Sequence, residues 1–162
     1  MELLIVSAIA SLDLNAVFYC CKAVVPLMVE QNYGRIVNIA SDAARVGSSG
    51  EAVYAACKGG LVALSKTLAR EHARHGITVN VVCPGPTDTA LFAGFKDGAA
   101  NPDKLVQAFE RAIPLGRIGQ PDDLAGFWSG AMRGNDGAFH RVEVAWMRDG
   151  DPFDPLPGWF GR

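Results

Sequence analysis

The spacing of hydrophobic and polar positions predicts two long helices in the first half of the chain. The stretch from Asp13 to Glu30 is dense in apolar residues, which indicates a helix buried on more than one side. Ser11 or Asp13 can cap its start. The stretch from Glu51 to His75 is amphipathic and stops at Gly76, so it predicts a second helix.

Two short apolar runs, Arg35–Ala40 and Ile77–Cys83, predict buried strands. The apolar start, Met1–Ala10, is interpreted as a strand-like or misplaced start. A targeting segment is not expected, because about ten residues cannot span a bilayer and Glu2 stands where a signal peptide carries positive charge. Helices and strands alternate in this order. The pattern therefore predicts parallel strands joined by a crossover helix, the unit of a doubly wound α/β sheet.

The segment after the second predicted strand differs in character. Ala90–Pro102 is rich in Gly, Ala and Phe and predicts a mobile flap, followed by a helix over Asp103–Ala112. Pro121 begins another predicted helix, since proline favours the first helical position. Pro84-Gly85-Pro86 turns the chain at the carboxyl end of the strand, which is the edge where open α/β sheets bind ligands.

Composition narrows the function classes. The 162 residues are 49% hydrophobic and 20% charged, which suits one globular domain, and the net charge of −2 gives no basic surface for nucleic acid or an anionic membrane. The four cysteines fit neither metal spacing nor a secreted disulfide framework: Cys20, Cys21, Cys57 and Cys83. We therefore expect free thiols, a cytoplasmic location and no metal site.

The most informative pair is Tyr54 and Lys58, which are four residues apart and so share one helix face. A free phenol with a pKa near 10 exchanges protons poorly at neutral pH, whereas a fixed ammonium beside it favours the phenolate. Ser41, at the end of a predicted strand, can hold a carbonyl or alcohol oxygen nearby. Most Tyr-x-x-x-Lys pairs belong to an ordinary helix surface. The surrounding sequence is therefore needed to show whether this pair is catalytic.

That surrounding sequence resembles the short-chain dehydrogenase/reductase family. The resemblance lies in R-I-V-N-I-A-S, in the thirteen-residue step from Ser41 to Tyr54 and in I-T-V-N-V-V-C-P-G-P-T-D-T. It extends to D-L-N-A-V-F at Asp13–Phe18 and I-P-L-G-R-I-G-Q-P-D-D-L-A at Ile113–Ala125. The family implies a Rossmann-like fold and a nicotinamide cofactor, NAD or NADP, with NAD the favoured of the two.

The resemblance also implies roles for individual residues. Tyr54 is the general acid/base, Lys58 favours its phenolate and holds the nicotinamide ribose, Ser41 orients the reacting oxygen, and Asn15 steadies a water that leads to Lys58. The remaining cofactor-binding residues would line the nicotinamide end: Pro84, Gly85, Thr87 and Thr89.

Within the family, Ser41–Gly126 resembles the 2-hydroxycyclohexanecarboxyl-CoA dehydrogenases, and the 3-oxoacyl-acyl-carrier-protein reductases are the alternative. Either implies a small-molecule substrate that is an acyl thioester, chosen by residues between Ala90 and Ile113. The family further implies a homo-oligomer, paired through the helices at 13–30 and 51–75.

Two departures from the family pattern qualify these expectations. The phosphate-binding T-G-x-x-x-G-x-G and the N-N-A-G motif are absent, so the expected fold is the C-terminal part of a doubly wound sheet without its phosphate-binding half. The resemblance ends after Gly126, dividing the chain into a domain over 1–126 and an atypical tail over 127–162. A shifted reading frame, a splice or an evolved new tail would each explain the change. A catalytically silent fragment that retains a dimerisation module is the alternative of another class.

Overall fold

The structure is a computed structural model that describes residues 2–113, 115–124 and 142–144. Its helical elements are α1 (Glu2–Ala10), the π turn η1 (Ser11–Asn15), α2 (Ala16–Gln31), α3 (Ala43–Val46), α4 (Ala52–His72), the 3₁₀ turn η2 (Ala73–His75), α5 (Ala90–Gly98) and α6 (Pro102–Ala112). Residues 121–124 are also helical. The strands are β1 (Gly34–Ile39), β2 (Ile77–Cys83) and β3 (Val142–Val144).

The three strands form one parallel sheet in the order β1-β2-β3. Gly34 pairs with Ile77 at one end of the β1–β2 ladder, and Ile39 pairs with Val82 at the other. Every residue of β2 is buried, as expected of a central strand covered on both faces. The predicted α/β fold with parallel strands and a crossover helix is confirmed. β3 lies in the tail, where the sequence predicts no strand.

The long helix α4 covers the sheet with one apolar face. Leu61 is fully buried and packs with Ala40, Val81 and Cys83. About two helical turns further along, Ala69 packs on the other end of β2. These contacts fix α4 along the sheet, so side chains in its first turns have defined positions at the carboxyl edge of the strands.

Three predictions about the N-terminal region are wrong. The helix expected over Asp13–Glu30 is not buried on more than one side, because Cys21 and Val25 are the buried residues of α2. Residues 2–10 form helix α1, which continues through η1 into α2, so the strand-like interpretation fails and neither Ser11 nor Asp13 caps a helix start. The physical reason is that no glycine or proline interrupts the chain before Pro26, so one hydrogen-bonded helix continues through the apolar run.

The continuous helix also removes the argument that the apolar start is too short for a membrane. Leu4–Gln31 spans 28 residues and could cross a bilayer by length and composition alone. Only 6% of its apolar window is buried inside the chain. Core helices of soluble proteins and signal sequences satisfy the same two criteria, so they do not identify a membrane segment.

The segment 90–102, predicted as a mobile flap, is mostly the helix α5, and its mobility stays a prediction. The Thr89 side chain caps this helix by accepting a hydrogen bond from the Phe92 N–H at 3.3 Å. Phe92 is buried and packs edge-on against Phe109 of α6, with ring centroids 5.8 Å apart. A local cap and an aromatic contact therefore outweigh the low helix propensity of the glycines in this segment.

Candidate active site

Tyr54 and Lys58 meet on α4 as the spacing predicts. The Lys58 Nζ lies 5.6 Å from the centre of the Tyr54 ring. The same ammonium donates a hydrogen bond of 3.3 Å to the carbonyl of Ile39, the last residue of β1. The pair is therefore anchored to the carboxyl edge of the sheet, where ligands bind in open α/β folds.

Backbone hydrogen bonds bring the ends of β1 and β2 together at this edge. The Ala40 N–H donates to the Val82 carbonyl at 2.8 Å, and the Asp42 N–H donates to the Pro84 carbonyl at 2.9 Å. Ser41 lies between these two bonds in the sequence. The residues that follow each strand are thus neighbours, and Ser41 shares an edge with the turn that begins at Pro84.

The Ser41 hydroxyl is engaged locally. Its oxygen accepts a hydrogen bond of 3.2 Å from the Ala43 N–H at the start of α3. Within residues 2–113 no hydrogen bond joins Ser41 to Tyr54. The structure therefore brings Ser41 to the same edge as the Tyr54–Lys58 pair, while its contact with a reacting oxygen stays a prediction.

The surroundings of Ser41 are partly dehydrated. Burial raises the pKa of the neighbouring Asp42 carboxyl, and Arg45, 3.9 Å away, offsets part of this rise. Burial also raises the pKa of the Cys83 thiol at the end of β2. Neither residue was among the predicted site residues. Their environment shows that polar interactions at this edge act in a medium less screened than water.

Sequence reasoning missed the residue that contacts Lys58 most closely, which is Asp13. Its Oδ1 lies 3.0 Å from the Lys58 Nζ. The available signal was that Asp13 is the sole charged residue between Glu2 and Lys22, in an apolar helix. Asn15 is exposed, and among the described residues no hydrogen bond joins it to Lys58. Its role in holding a water stays a prediction.

The predicted cofactor-binding turn follows β2. The Thr87 hydroxyl donates to the Gly85 carbonyl at 3.0 Å, and the backbone of Thr87 forms a parallel bridge with Gly119. Thr89 caps α5, as described above. These residues form a turn, supported by the 115–124 segment, that follows the ligand-binding edge, although their contact with a cofactor remains a prediction.

The edge suits one half of a nicotinamide dinucleotide. An ammonium, a phenol and hydroxyl groups surround the strand ends, and such groups can bind the nicotinamide ribose and carboxamide. Within the described segments, no glycine-rich turn links a strand to a helix N-terminus to hold a pyrophosphate. In the same segments, no three His, Cys, Asp or Glu side chains converge as metal ligands.

Comparison with known proteins identifies the family of this chain. A family model described as enoyl-(acyl carrier protein) reductase matches residues 4–129. A 3-oxoacyl-[acyl-carrier-protein] reductase of Synechocystis is 42% identical over 119 residues, 74% of this chain and 44% of the relative. The chain belongs to the short-chain dehydrogenase/reductase family. The expected resemblance is thereby confirmed at the level of the family.

Other family members act on different molecules by name. A 2,3-dihydroxy-2,3-dihydro-p-cumate dehydrogenase of Pseudomonas putida is 41% identical over 118 residues, 72% of this chain and 44% of the relative. A crystal structure of NAD⁺-bound xylitol dehydrogenase superimposes with a TM-score of 0.77 at 27% identity, covering 86% of this chain and 57% of that one. Family membership therefore does not identify the substrate.

The chain spans about half the length of these short-chain dehydrogenase/reductase relatives. The apolar helix Leu4–Gln31 lies inside the matched region, which favours a helix of the family domain over a membrane span. The match ends at residue 129, close to the predicted change at Gly126. The division at 126 and the origin of the tail stay predictions, and most of the tail lies outside the described residues.

Proposed function

We propose that this chain carries the catalytic side of an NAD(P)-dependent oxidoreductase that interconverts a secondary alcohol and a ketone. The observation that carries the proposal is the Lys58 ammonium, 5.6 Å from the Tyr54 ring centre, anchored at the carboxyl edge beside Ser41. Membership of a family of dehydrogenases and reductases supports it. The protein would act in the cytoplasm as a homo-oligomer.

Three side chains would handle the proton and the substrate oxygen. In the oxidising direction the Tyr54 phenolate removes the hydroxyl proton, and in reduction the phenol returns it. The Lys58 ammonium favours the phenolate by its charge. The Ser41 hydroxyl donates a hydrogen bond that holds the substrate oxygen beside Tyr54. A bound nicotinamide would take or supply the hydride.

The groups that would hold the nicotinamide follow from the same arrangement. Lys58 would bind the ribose hydroxyls. The backbone and hydroxyl groups of the turn after β2 would face the carboxamide: Pro84, Gly85, Thr87 and Thr89. This set suits NAD and NADP equally, because the two cofactors differ at the adenine ribose. We favour NAD.

For the substrate we propose an acyl thioester, with 2-hydroxycyclohexanecarboxyl-CoA as the first candidate. A cavity of about 500 Å³ lies between α5, α6 and the 115–124 segment, with Phe92, Val106 and Lys96 in its lining. The lining also contains Arg117 and three acids: Asp88, Glu110 and Asp123. Its apolar side chains support an acyl chain as the ligand, whereas the mixed charges do not by themselves select a phosphate-bearing carrier. A 3-oxoacyl-acyl-carrier-protein is the second candidate, supported by the name of the Synechocystis relative.

A silent dimerisation module is the alternative function. It is favoured by the apolar side chains that α1, η1 and α2 leave more than half exposed: Leu4, Ile5, Leu12, Tyr19 and Leu27. Fluorescence titration with NADH separates the two functions when the chain is fused to the phosphate-loop segment of a relative, because the chain's own sequence contains no such loop. Quenching or energy transfer at micromolar NADH that Lys58→Ala weakens would support a working site, and its absence in the fused chain would support the silent module.

The catalytic proposal is tested by Tyr54→Phe, with Tyr33→Phe as the matched control because Tyr33 is 58% exposed and distant in sequence from the site. The chain is assayed alone and fused to a phosphate-loop segment from a relative, with both cofactors and both thioesters. We expect Tyr54→Phe to abolish turnover while the control retains it. Turnover that survives Tyr54→Phe would refute the role of Tyr54.

A further inference from the structure

We propose that Asp13 is a positioning residue whose carboxylate holds the Lys58 ammonium and moderates the charge that Lys58 presents to Tyr54. The inference rests on the proposed function and adds a residue to it. Asp13 would contact neither substrate nor cofactor in this role. It would act on the reaction through Lys58 alone.

The contact is close and partly shielded. Asp13 Oδ1 lies 3.0 Å from Lys58 Nζ, and the side chains keep 20% and 13% of their accessible surface. An ammonium has three N–H donors. One points to Asp13 and a second to the Ile39 carbonyl at 3.3 Å, which leaves the third for a ligand. The two fixed acceptors therefore orient the free donor.

The π turn holds Asp13 firmly against α4. Leu14, the next residue, packs on the core cluster that contains Leu61. Leu14 lies directly against α4 at Gly60, where an added Cβ would make ordinary van der Waals contact at 3.5 Å with both Leu14 methyl carbons. Single π turns within helices frequently occur at functional sites. A charged side chain here costs desolvation energy that an ion pair offsets, which is a physical reason for Asp13 and Lys58 to occur together.

The carboxylate also has an electrostatic consequence. Lys58 favours the Tyr54 phenolate by its positive charge, and a negative charge 3.0 Å from its nitrogen cancels part of that field. Helix α3, which packs on α4, contributes Arg45, and Asp42 precedes this helix; these two opposite charges lie 3.9 Å apart and largely offset each other. Replacing Asp13 by Asn would keep its size and remove the cancelling charge.

The deciding experiment compares lysine reactivity in the chain itself. Native chain and Asp13→Asn are acetylated briefly, and each lysine is followed by mass spectrometry. We expect Lys58 to react about threefold faster in Asp13→Asn, because the amine loses the carboxylate partner that holds it at 3.0 Å and becomes more accessible to the reagent. The other four lysines should be unchanged: Lys22, Lys66, Lys96 and Lys104. Asp97→Asn, an exposed acid on α5, is the matched control.

The outcomes separate the possible failures. Unchanged Lys58 reactivity in a folded Asp13→Asn would overturn the inference. Faster reaction of all five lysines would instead indicate that the variant is unfolded. In that case Asp13→Ser would replace Asp13→Asn in the comparison. A sample with turnover gives a second readout. There the acidic limb of the pH–rate profile should move to lower pH in Asp13→Asn, and an unmoved limb would count against the inference. Absence of turnover in the unsubstituted chain would count against the proposed function alone.

Discussion

The Lys58 ammonium lies one helical turn from Tyr54, with its nitrogen 5.6 Å from the centre of the phenol ring. The helix sets the distance between the two side chains. The sheet orients the Lys58 side chain, because the Ile39 carbonyl accepts a hydrogen bond from the same nitrogen. A lysine on an exposed helix face would instead extend into water. The anchored ammonium is what distinguishes this pair from an ordinary surface pair, and it leads to the first prediction.

Lys58→Ala should lower turnover about 100-fold or more, because proton transfer by a positioned group contributes 10²–10⁴-fold and Tyr54 would lose its cationic neighbour. Lys58→Arg should recover only part of the rate, since the planar guanidinium cannot reproduce the directions of an ammonium. Steady-state rates on the fused chain measure this. Lys104→Ala, on exposed α6, is the control. Equal rates for Lys58→Ala and the control would contradict the assignment.

The isolated 162-residue chain should bind nicotinamide cofactors weakly. The described edge offers groups for the nicotinamide half, while the sequence contains no glycine-rich phosphate loop. Isothermal titration calorimetry with NADH and NADPH measures the affinity. A dissociation constant near 1 μM, equivalent to about −8 kcal/mol, would show that other residues supply the missing binding energy.

The chain should form dimers or larger assemblies in solution. Leu12 is 76% exposed and Tyr19 is 63% exposed on the N-terminal helix, and β1 is the outer strand of the described sheet. Light scattering should therefore give a mass above the 17.2 kDa of one chain. Leu12→Glu should reduce the assembled fraction, and Leu91→Glu, 75% exposed on α5, should not. A sharp monomer peak with a cooperative thermal transition would refute the prediction.

Leu61→Ala should destabilise the fold by about 2–5 kcal/mol, because it removes a fully buried side chain from the contact between α4 and the sheet and leaves a cavity. Urea unfolding followed by circular dichroism measures the change. The exposed Leu91→Ala provides the same chemical change without burial and should cost less than about 0.5 kcal/mol. Similar unfolding midpoints for the two variants would show that Leu61 does not occupy the core.

The segment after α6 should weaken in acid through Asp123. The hydrogen bonds from Arg117 and from the Gln120 N–H lower the pKa of its carboxyl from the usual 3.8 to about 2. A lowered pKa means that the stabilising contribution is complete above about pH 4 and is lost as the pH falls toward 2. Asp123→Asn should therefore show a smaller loss of stability between pH 5 and 2 in urea unfolding. Asp97→Asn should behave like the unsubstituted chain, and an Asp123→Asn curve parallel to it would contradict the prediction.

Local patterns were sufficient for several features of the fold. The apolar runs located β1 and β2, and the amphipathic run located α4, because the period of side-chain burial reflects the geometry of each element. The run Asn32-Tyr33-Gly34 also indicates where α2 ends, because Asn and Gly favour the left-handed conformation that closes helices. Asn32 adopts it, with a φ of 51°. The four-residue step between Tyr54 and Lys58 fixed their common face.

Tertiary structure determined the contacts between elements that are distant in the sequence. The sequence could not show that Asp13, rather than Asn15, reaches Lys58, because this depends on how η1 packs against α4. It also could not show that β3 pairs with β2 from a tail without a clear strand pattern. Spacing along one helix is set by backbone geometry that each residue carries with it. A contact between distant segments is set by packing and by the pairing of buried charge, which exist only in the folded chain.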